Sequence, residues 1–166
     1  MKKLIVISLL IISQISFSQT ADEFIIRGNR LKDNLKDYNG AIADYTKAIE
    51  LNPNDSDAYY NRGNAKYYLK YYNEAIADYS KAIELNPNYS SAYNNRGNSK
   101  NDLKDYNGSI ADYTKAIEIN PNYADAYNNR SVSKYYLGDK NGACQDARKT
   151  QDLGADASEL IKIVCK

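Results

Sequence analysis

Residues 75–88 read AIADYSKAIELNPN, and two near-copies read AIADYTKAIELNPN at 41–54 and SIADYTKAIEINPN at 109–122. The chain has three prolines, one in each copy, and they stand 34 residues apart. Within each copy the isoleucines and leucines recur at the spacing of a helix that buries one face. Proline after each apolar run cannot continue a helix. The period predicts a repeated pair of helices, each pair too small to bury its apolar face without a neighbour.

A second motif precedes each later copy, as NRGN at 61–64 and 95–98 and as NRS at 129–131. Together the motifs resemble the tetratricopeptide repeat, whose pattern runs Trp-x-x-Leu-Gly-x-x-Tyr, then Ala-x-x-x-Phe, then Pro. The second unit gives Tyr59-x-x-Arg62-Gly63-x-x-Lys66, Ala75-x-x-x-Tyr79 and Pro87. The third unit gives the same residue types, with Ser109 for the alanine. Arginine and lysine stand where the family has leucine and tyrosine.

The resemblance covers about residues 21–156 and implies an all-α fold, a right-handed α-solenoid of about four helix-turn-helix units plus a C-terminal capping helix. We expect the repeat array to span residues 19–156 and the capping helix to span 157–166. The units are expected at about 21–54, 55–88, 89–122 and 123–156.

The two ends of the array differ from its middle. Seven residues separate Gly28 from Leu35, one more than between the corresponding residues of the next two units. An extra residue is therefore expected in the first helix or its turn. In the last unit Ala147 replaces the repeated tyrosine, and Gly154 rather than proline ends the helix. A finite solenoid needs such atypical ends.

Residues 1–18 have the features of a signal peptide. Two lysines follow Met1, an apolar stretch of 14 residues spans 4–17, and Ser16 and Ser18 supply the small residues of a cleavage site. A helix needs about 20 apolar residues to cross a bilayer. We therefore expect cleavage after Ser18, a periplasmic or secreted protein, and no membrane insertion after cleavage. An uncleaved anchor is the alternative.

The composition argues against several functional classes. A formal net charge of +1 indicates neither a nucleic-acid nor a membrane partner. The absence of histidine removes the commonest general base and the commonest transition-metal ligand. No phosphate-binding loop, dinucleotide-binding glycine pattern or metal-ligand cluster occurs in the sequence. We therefore expect no cofactor and no enzymatic activity.

The two cysteines, Cys144 and Cys165, lie on the last repeat and at the end of the cap. In an oxidising compartment such a pair favours a structural disulfide that pins the cap. A redox pair or a nucleophile is the alternative. The chain has neither a Cys-x-x-Cys spacing nor a histidine to activate a thiolate. The structural disulfide is therefore the favoured interpretation.

Charged residues also repeat every 34 positions. Each of three first helices carries an arginine and, four residues later, a lysine, while each second helix carries an aspartate: Asp44, Asp78, Asp112 and Asp146. Because both signs repeat in step, we expect interhelical ion pairs completed by tyrosine hydroxyls. A cationic stripe awaiting an acidic ligand is the alternative.

In tetratricopeptide arrays the first helices of successive units line the inner, concave surface, here called the inner wall. On that basis helical spacing places eleven residues there, nearly all with amide or phenol side chains: Tyr60, Asn64, Tyr67, Tyr68, Asn94, Asn98, Asn101, Asp102, Asn128, Tyr135 and Tyr136. Asparagine amides hydrogen-bond an extended peptide backbone, and tyrosines give rigid contact area. Ordinary solvated polarity is the alternative.

Some members of the family grip a C-terminal carboxylate with a clamp of basic residues and asparagines. Residues similar to the clamp asparagines are present at Asn64, Asn95 and Asn98, but the positions that need basic groups hold Tyr60, Ser91 and Asn94. The resemblance therefore does not predict binding of chaperone tails.

The leading hypothesis is a non-enzymatic scaffold that binds a peptide or protein partner on its concave surface, in the periplasm or outside the cell. The alternative is a carbohydrate-binding module of the cell envelope that uses the inner tyrosines as stacking platforms.

Overall fold

The computed structural model describes residues 20–166, and the predicted signal peptide at 1–18 lies outside them. The described part is helical and contains no strand. Its α-helices are α1 (Ala21–Arg30), α2 (Tyr38–Leu51), α3 (Ser56–Tyr68), α4 (Tyr72–Leu85), α5 (Ser90–Asp102), α6 (Tyr106–Ile119), α7 (Ala124–Tyr136), α8 (Lys140–Asp152) and α9 (Ser158–Val164). From residue 20 onward, every helix lacks the length or the apolar character that a membrane crossing requires.

The helices stack in chain order. Each packs against the next, and the first helix of the third pair, α5, also contacts those of the second and fourth pairs, α3 and α7. Contacts confined to neighbouring units are those of a solenoid. The predicted all-α solenoid is confirmed, and α9 packs on α8 as a cap. The unit boundaries themselves stay a prediction.

A π-helical turn, Leu31–Leu35, extends α1 and accommodates the extra residue of the first unit. Leu35, the last residue of this turn, has 65% of its surface exposed. The turn ends at Lys36 in the left-handed conformation, with φ 56°. A single inserted residue is therefore absorbed within the helix, as π-turns allow.

A glycine on the first helix makes room for a buried tyrosine on the second. A Cβ atom built on Gly63 would lie 2.8 Å from Cε1 of Tyr79, and one on Gly97 would lie 2.6 Å from Cε1 of Tyr113. Both rings are 1% exposed. The small residues of the repeat therefore admit an aromatic ring to the core, which is a more specific role than close backbone approach alone.

The predicted ion pairs between helices are confirmed. Arg62 Nε and Nη2 donate to the two carboxylate oxygens of Asp78 at 2.9 and 2.7 Å, and Lys66 Nζ lies 2.7 Å from the same carboxylate. Arg62 Nη1 also donates to Thr46 Oγ1 on the preceding unit at 3.1 Å. The next two units repeat this arrangement around Asp112 and Asp146.

The expectation that tyrosine hydroxyls complete these ion pairs is wrong. The three buried second-helix tyrosines, Tyr45, Tyr79 and Tyr113, donate to asparagine side chains instead, as Tyr79 does to Asn64 Oδ1 at 2.9 Å. Hydroxyls of the preceding unit complete the ion-pair clusters in their place: Thr46, Ser80 and Thr114. Each arginine therefore joins its own unit to the one before it.

The C-terminal cap is held by packing and by the cysteine pair. Val164 on α9 is 1% exposed and packs in a cluster with Ala143 and Ala147 of α8. The sulfur atoms of Cys144 and Cys165 lie 2.00 Å apart, in a disulfide. The structure thus brings together the two cysteines that the sequence singled out.

Candidate functional site

The first helices α3, α5 and α7, on which the sequence places the inner wall, lie side by side, with α5 in contact with both α3 and α7. Two adjacent clefts open on this wall. The first, of about 140 Å³, is lined by Asn64, Tyr67, Tyr68, Asn95 and Asn98. The second, of about 210 Å³, is lined by Tyr67, Asn98, Asn101, Asp102, Tyr113, Asn129 and Val132. Because Tyr67 and Asn98 line both clefts, the two form one continuous surface.

Six of the predicted wall residues come together in these clefts: Asn64, Tyr67, Tyr68, Asn98, Asn101 and Asp102. They lie on the C-terminal halves of α3 and α5. Their grouping follows from the helical spacing, because residues three and four apart share one face.

The remaining predicted residues lie elsewhere. Asn94 is only 4% exposed, and its amide oxygen accepts a hydrogen bond from Asn129 Nδ2 at 3.2 Å, so it joins α5 to α7. Tyr60 is half-buried, and its hydroxyl accepts from Asn95 Nδ2 at 3.1 Å. Three residues of the last unit line neither cleft: Asn128, Tyr135 and Tyr136.

A chain of amides runs along the wall from unit to unit. Asn95 Nδ2 donates to Asn64 Oδ1 at 2.9 Å, and Asn129 Nδ2 donates to Asn98 Oδ1 at 3.0 Å. The hydroxyl of Tyr113 donates to the same Asn98 oxygen at 2.8 Å. Each of these junctions links the first helix of a unit to the first helix of the next unit and to the second helix of the same unit.

This chain fixes which way two amides face. The Oδ1 atoms of Asn64 and Asn98 each accept two hydrogen bonds, one from a tyrosine and one from an asparagine. Within residues 20–166 their Nδ2 groups donate to no protein atom at hydrogen-bond distance, and both side chains line the first cleft. Two amide groups with unused donors therefore face the cleft, one from each of two successive units.

Four cleft residues were not among those predicted for the wall: Asn95, Tyr113, Asn129 and Val132. Asn95 and Asn129 immediately precede the repeated arginines, and their own 34-residue spacing was the available signal. Tyr113 belongs to a second helix, which helical spacing on the first helices alone cannot bring to the wall.

Tyrosine rings cluster around the first cleft. The Tyr68 ring stacks on the Tyr38 ring with centroids 5.0 Å apart, and the Tyr67 ring lies 5.6 Å from the Tyr72 ring. Burial, followed by the nearby Asp102 carboxylate, raises the pKa of Tyr67. The phenol is therefore a neutral hydrogen-bonding group at physiological pH.

Basic side chains on the three wall helices are all engaged. α3, α5 and α7 carry six of them, and each lies within 3 Å of a second-helix aspartate: Arg62, Lys66, Arg96, Lys100, Arg130 and Lys134. None of the six lines either cleft. The alternative of a free cationic stripe is therefore not supported.

Comparison with known proteins gives one consistent result. Sequence profiles of the tetratricopeptide repeat match residues 34–70, 56–89, 90–123 and 112–145. No curated protein sequence matches the chain significantly.

Solved structures with similar folds include MamA, at 25% identity and a TM-score of 0.77 over 80% of this chain and 77% of that one. The first tetratricopeptide domain of Spaghetti (RPAP3), solved bound to the HSP90 peptide SRMEEVD, is 30% identical, with a TM-score of 0.70 over 73% of this chain and 95% of that one. A thermophilic tetratricopeptide protein from Thermus thermophilus, 18% identical, shares the fold, with a TM-score of 0.73 over 87% of this chain and 81% of that one.

Proposed function

The chain belongs to the tetratricopeptide-repeat family, and from that premise we propose that it is a non-enzymatic scaffold whose inner wall binds an extended segment of a peptide or protein partner. The observation that carries the proposal is the pair of connected clefts with the unused amide donors of Asn64 and Asn98 facing them. The proposal includes no cofactor and no nucleic acid.

The geometry suits a peptide main chain. Carbonyl groups of an extended segment recur along its length, and the two free amides recur along the wall at one per unit. Amide donors in that arrangement hydrogen-bond carbonyls without selecting a side chain. The rings of Tyr67 and Tyr68 add rigid contact area beside them, and tyrosine is enriched where proteins bind one another.

A peptide as the ligand class is also supported by the comparison. The RPAP3 domain, which this chain resembles over 95% of that domain's length, was solved with a bound peptide. The peptide SRMEEVD is the ligand of that domain. In the present chain the lining of the two clefts includes Asp102 and no lysine or arginine. We therefore propose a peptide as the class of ligand for the present chain, without proposing the sequence of that peptide.

The location proposed is the periplasm or the cell exterior. The amino-terminal sequence of residues 1–18 supports export, and the Cys144–Cys165 pair suits an oxidising compartment. Intact mass of the protein recovered from the envelope and medium tests both points. Export predicts a chain that begins at Gln19 and lacks two cysteine protons.

Peptide binding is tested by selecting peptides from a displayed random library against the protein and measuring affinities by fluorescence anisotropy. The double variant Tyr67→Ala/Tyr68→Ala should bind the selected peptides about tenfold more weakly, because both rings line the first cleft. Tyr71→Ala is the matched control, since Tyr71 is 51% exposed and lines neither cleft. Unchanged affinity of a folded double variant would remove the proposal.

Carbohydrate binding is the second candidate, and the exposed aromatic rings favour it. Tyr68 and Tyr136 are 60% and 62% exposed, and each stacks on one tyrosine of a neighbouring helix, leaving its other face open. Retention of the protein on envelope glycan columns, lost in Tyr68→Ala/Tyr136→Ala, would support this candidate. A folded protein that passes the columns unretained would exclude it.

A further inference from the structure

The two clefts carry a single formal charge. Ten residues line them in total, and Asp102 is the only Asp, Glu, Lys or Arg among them. The six basic side chains of the wall helices lie against the second-helix aspartates, and none of them lines either cleft. The lining of the second cleft therefore offers a ligand one carboxylate and no basic side chain.

Asp102 itself is solvent-exposed and forms no ion pair within the described chain. It ends α5 beside the rings of the first cleft, where the corresponding positions of the other two wall helices hold Tyr68 and Tyr136. The carboxylate lies close enough to Tyr72 to raise the pKa of that phenol, after the larger effect of burial. The Asp102 carboxylate and the tyrosine rings of the first cleft therefore lie next to each other.

The lining of the second cleft is divided chemically. Asp102 supplies the negative charge, while Tyr67 and Val132 supply apolar surface. A long cationic side chain matches this division, because its methylene groups pack on apolar surface while its charged end meets the carboxylate. A tyrosine ring beside the carboxylate adds attraction for a cation.

We propose that the second cleft is a subsite for a lysine or arginine side chain of the bound peptide, with Asp102 pairing its charge and Tyr67 and Val132 packing against its stem. The inference rests on the proposed peptide-binding function and adds to it the chemical class of the segment recognised. The unused amides of Asn64 and Asn98 hold the main chain, and Asp102 selects the side chain.

The test is an NMR titration of the ¹⁵N-labelled protein with three capped pentapeptides that differ only at the central residue: lysine, norleucine or glutamate in an alanine background. Shifts of the Asn64 and Asn98 side-chain amide signals report binding at the wall. The lysine peptide should bind about fivefold more tightly than the norleucine peptide at low salt, and the glutamate peptide most weakly.

Two variants separate charge selection from general binding. Asp102→Asn keeps the shape and removes the charge, so the lysine preference should disappear while the amide signals still shift. Asp125→Asn removes an exposed carboxylate of α7 that lines neither cleft, and the lysine preference should persist.

Equal affinity for the three peptides, or tighter binding of the glutamate peptide, overturns the charge inference and leaves peptide binding intact. A lysine preference that survives in Asp102→Asn also overturns it. If no peptide shifts the Asn64 and Asn98 signals, both the inference and the proposed function fail.

Discussion

The third and fourth units solve the same packing problem with different residues. In the third, Gly97 leaves space for the Tyr113 ring, with which a Cβ atom at that position would collide at 2.6 Å. In the fourth, Ser131 and Ala147 occupy the corresponding positions, and both are fully buried. The serine hydroxyl donates to the Ala143 carbonyl at 2.8 Å. The glycine and the tyrosine are exchanged together, so they form one packing unit.

The ion-pair clusters, by contrast, are the same in the two units. Arg96 and Lys100 meet Asp112 at 2.6 and 2.8 Å, and Arg130 and Lys134 meet Asp146 at 2.7 and 2.8 Å. The two units thus differ in one pair of buried core residues. The ion-pair cluster that joins the helices of each unit to the preceding unit is the same in both.

The largest effect is expected from breaking the shared cluster. Asp112→Ala leaves two cations with side chains only 18% and 22% exposed and without their partner. We expect a loss of about 3–4 kcal/mol in the free energy of unfolding. Urea denaturation measures it, and Asp146→Ala should show a similar loss. Asp125→Ala, at an exposed site, is the control and should change stability by less than about 0.5 kcal/mol.

Removing the disulfide should affect the fourth unit and spare the third. The double variant Cys144→Ser/Cys165→Ser opens a loop with a sequence separation of 21 residues, which corresponds to roughly 3 kcal/mol on the chain-entropy model. Hydrogen exchange should show lost protection in α8 and α9 and unchanged protection in α5 and α6. Equal loss in both units would contradict the cap's local role.

The exchanged core pair gives the most direct test of the comparison. Gly97→Ala places a methyl group against the buried Tyr113 ring and should cost about 1–3 kcal/mol. Ser131→Ala, at the matching position, loses one hydrogen bond and should cost about 1 kcal/mol. The double variant Gly97→Ser/Tyr113→Ala, which copies the fourth unit, should lose less stability than the sum of the losses of its two single variants, because the serine no longer meets the ring. Additive losses would show that the two residues are independent.

The pH dependence of the free energy of unfolding reports on the core of the third unit, which buries Tyr113 where the fourth unit buries Ala147. Burial raises the pKa of Tyr113, so the folded chain keeps that proton after the unfolded chain, with a tyrosine pKa of about 10, has released it. The stability that Tyr113 contributes to the folded state through this shift is therefore complete below about pH 10 and declines as the pH rises further. Tyr113→Phe should lose about 1 kcal/mol at neutral pH, where the hydrogen bond to Asn98 is missing, and should show a shallower alkaline decline. If Tyr113→Phe and the unchanged protein lost stability equally with rising pH, the alkaline decline could not be assigned to Tyr113.

The smallest effect concerns the turn between helices. Lys104 has φ 64°, a left-handed conformation, and the fourth unit has Gly138 with φ 85° at the matching place. Lys104→Gly should stabilise the protein by about 0.5–1 kcal/mol, since glycine adopts this conformation without a Cβ clash. Gly138→Lys should have the opposite sign. Thermal unfolding by circular dichroism measures both.

The helix pairs were predictable because the 34-residue period, the prolines and the apolar spacing all agree. The π-helical turn was not, because one extra residue can enter either a helix or its turn, and only the structure shows that Leu31–Leu35 absorbs it. Helical spacing placed Asn64, Tyr67 and Asn98 on one surface, and in the structure the three line one cleft. It could not reveal the amide chain, because that depends on side-chain directions across two helices.

The placement of Asn94 shows the same limit. Its position on the first helix predicts an exposed amide, but the neighbouring unit covers it and leaves it 4% exposed. Sequence spacing gives the face of a helix, whereas the depth of a side chain depends on what the next unit places over it.

The amide chain has a consequence for how such a protein can lengthen. The junction between α3 and α5 and the junction between α5 and α7 use the same asparagine-to-asparagine bond at 2.9 and 3.0 Å. A duplicated copy of residues 89–122 inserted after the third unit would present matching donors and acceptors at both seams. The array could then grow by whole units at its centre while its special first turn and its cysteine-linked end stayed as they are.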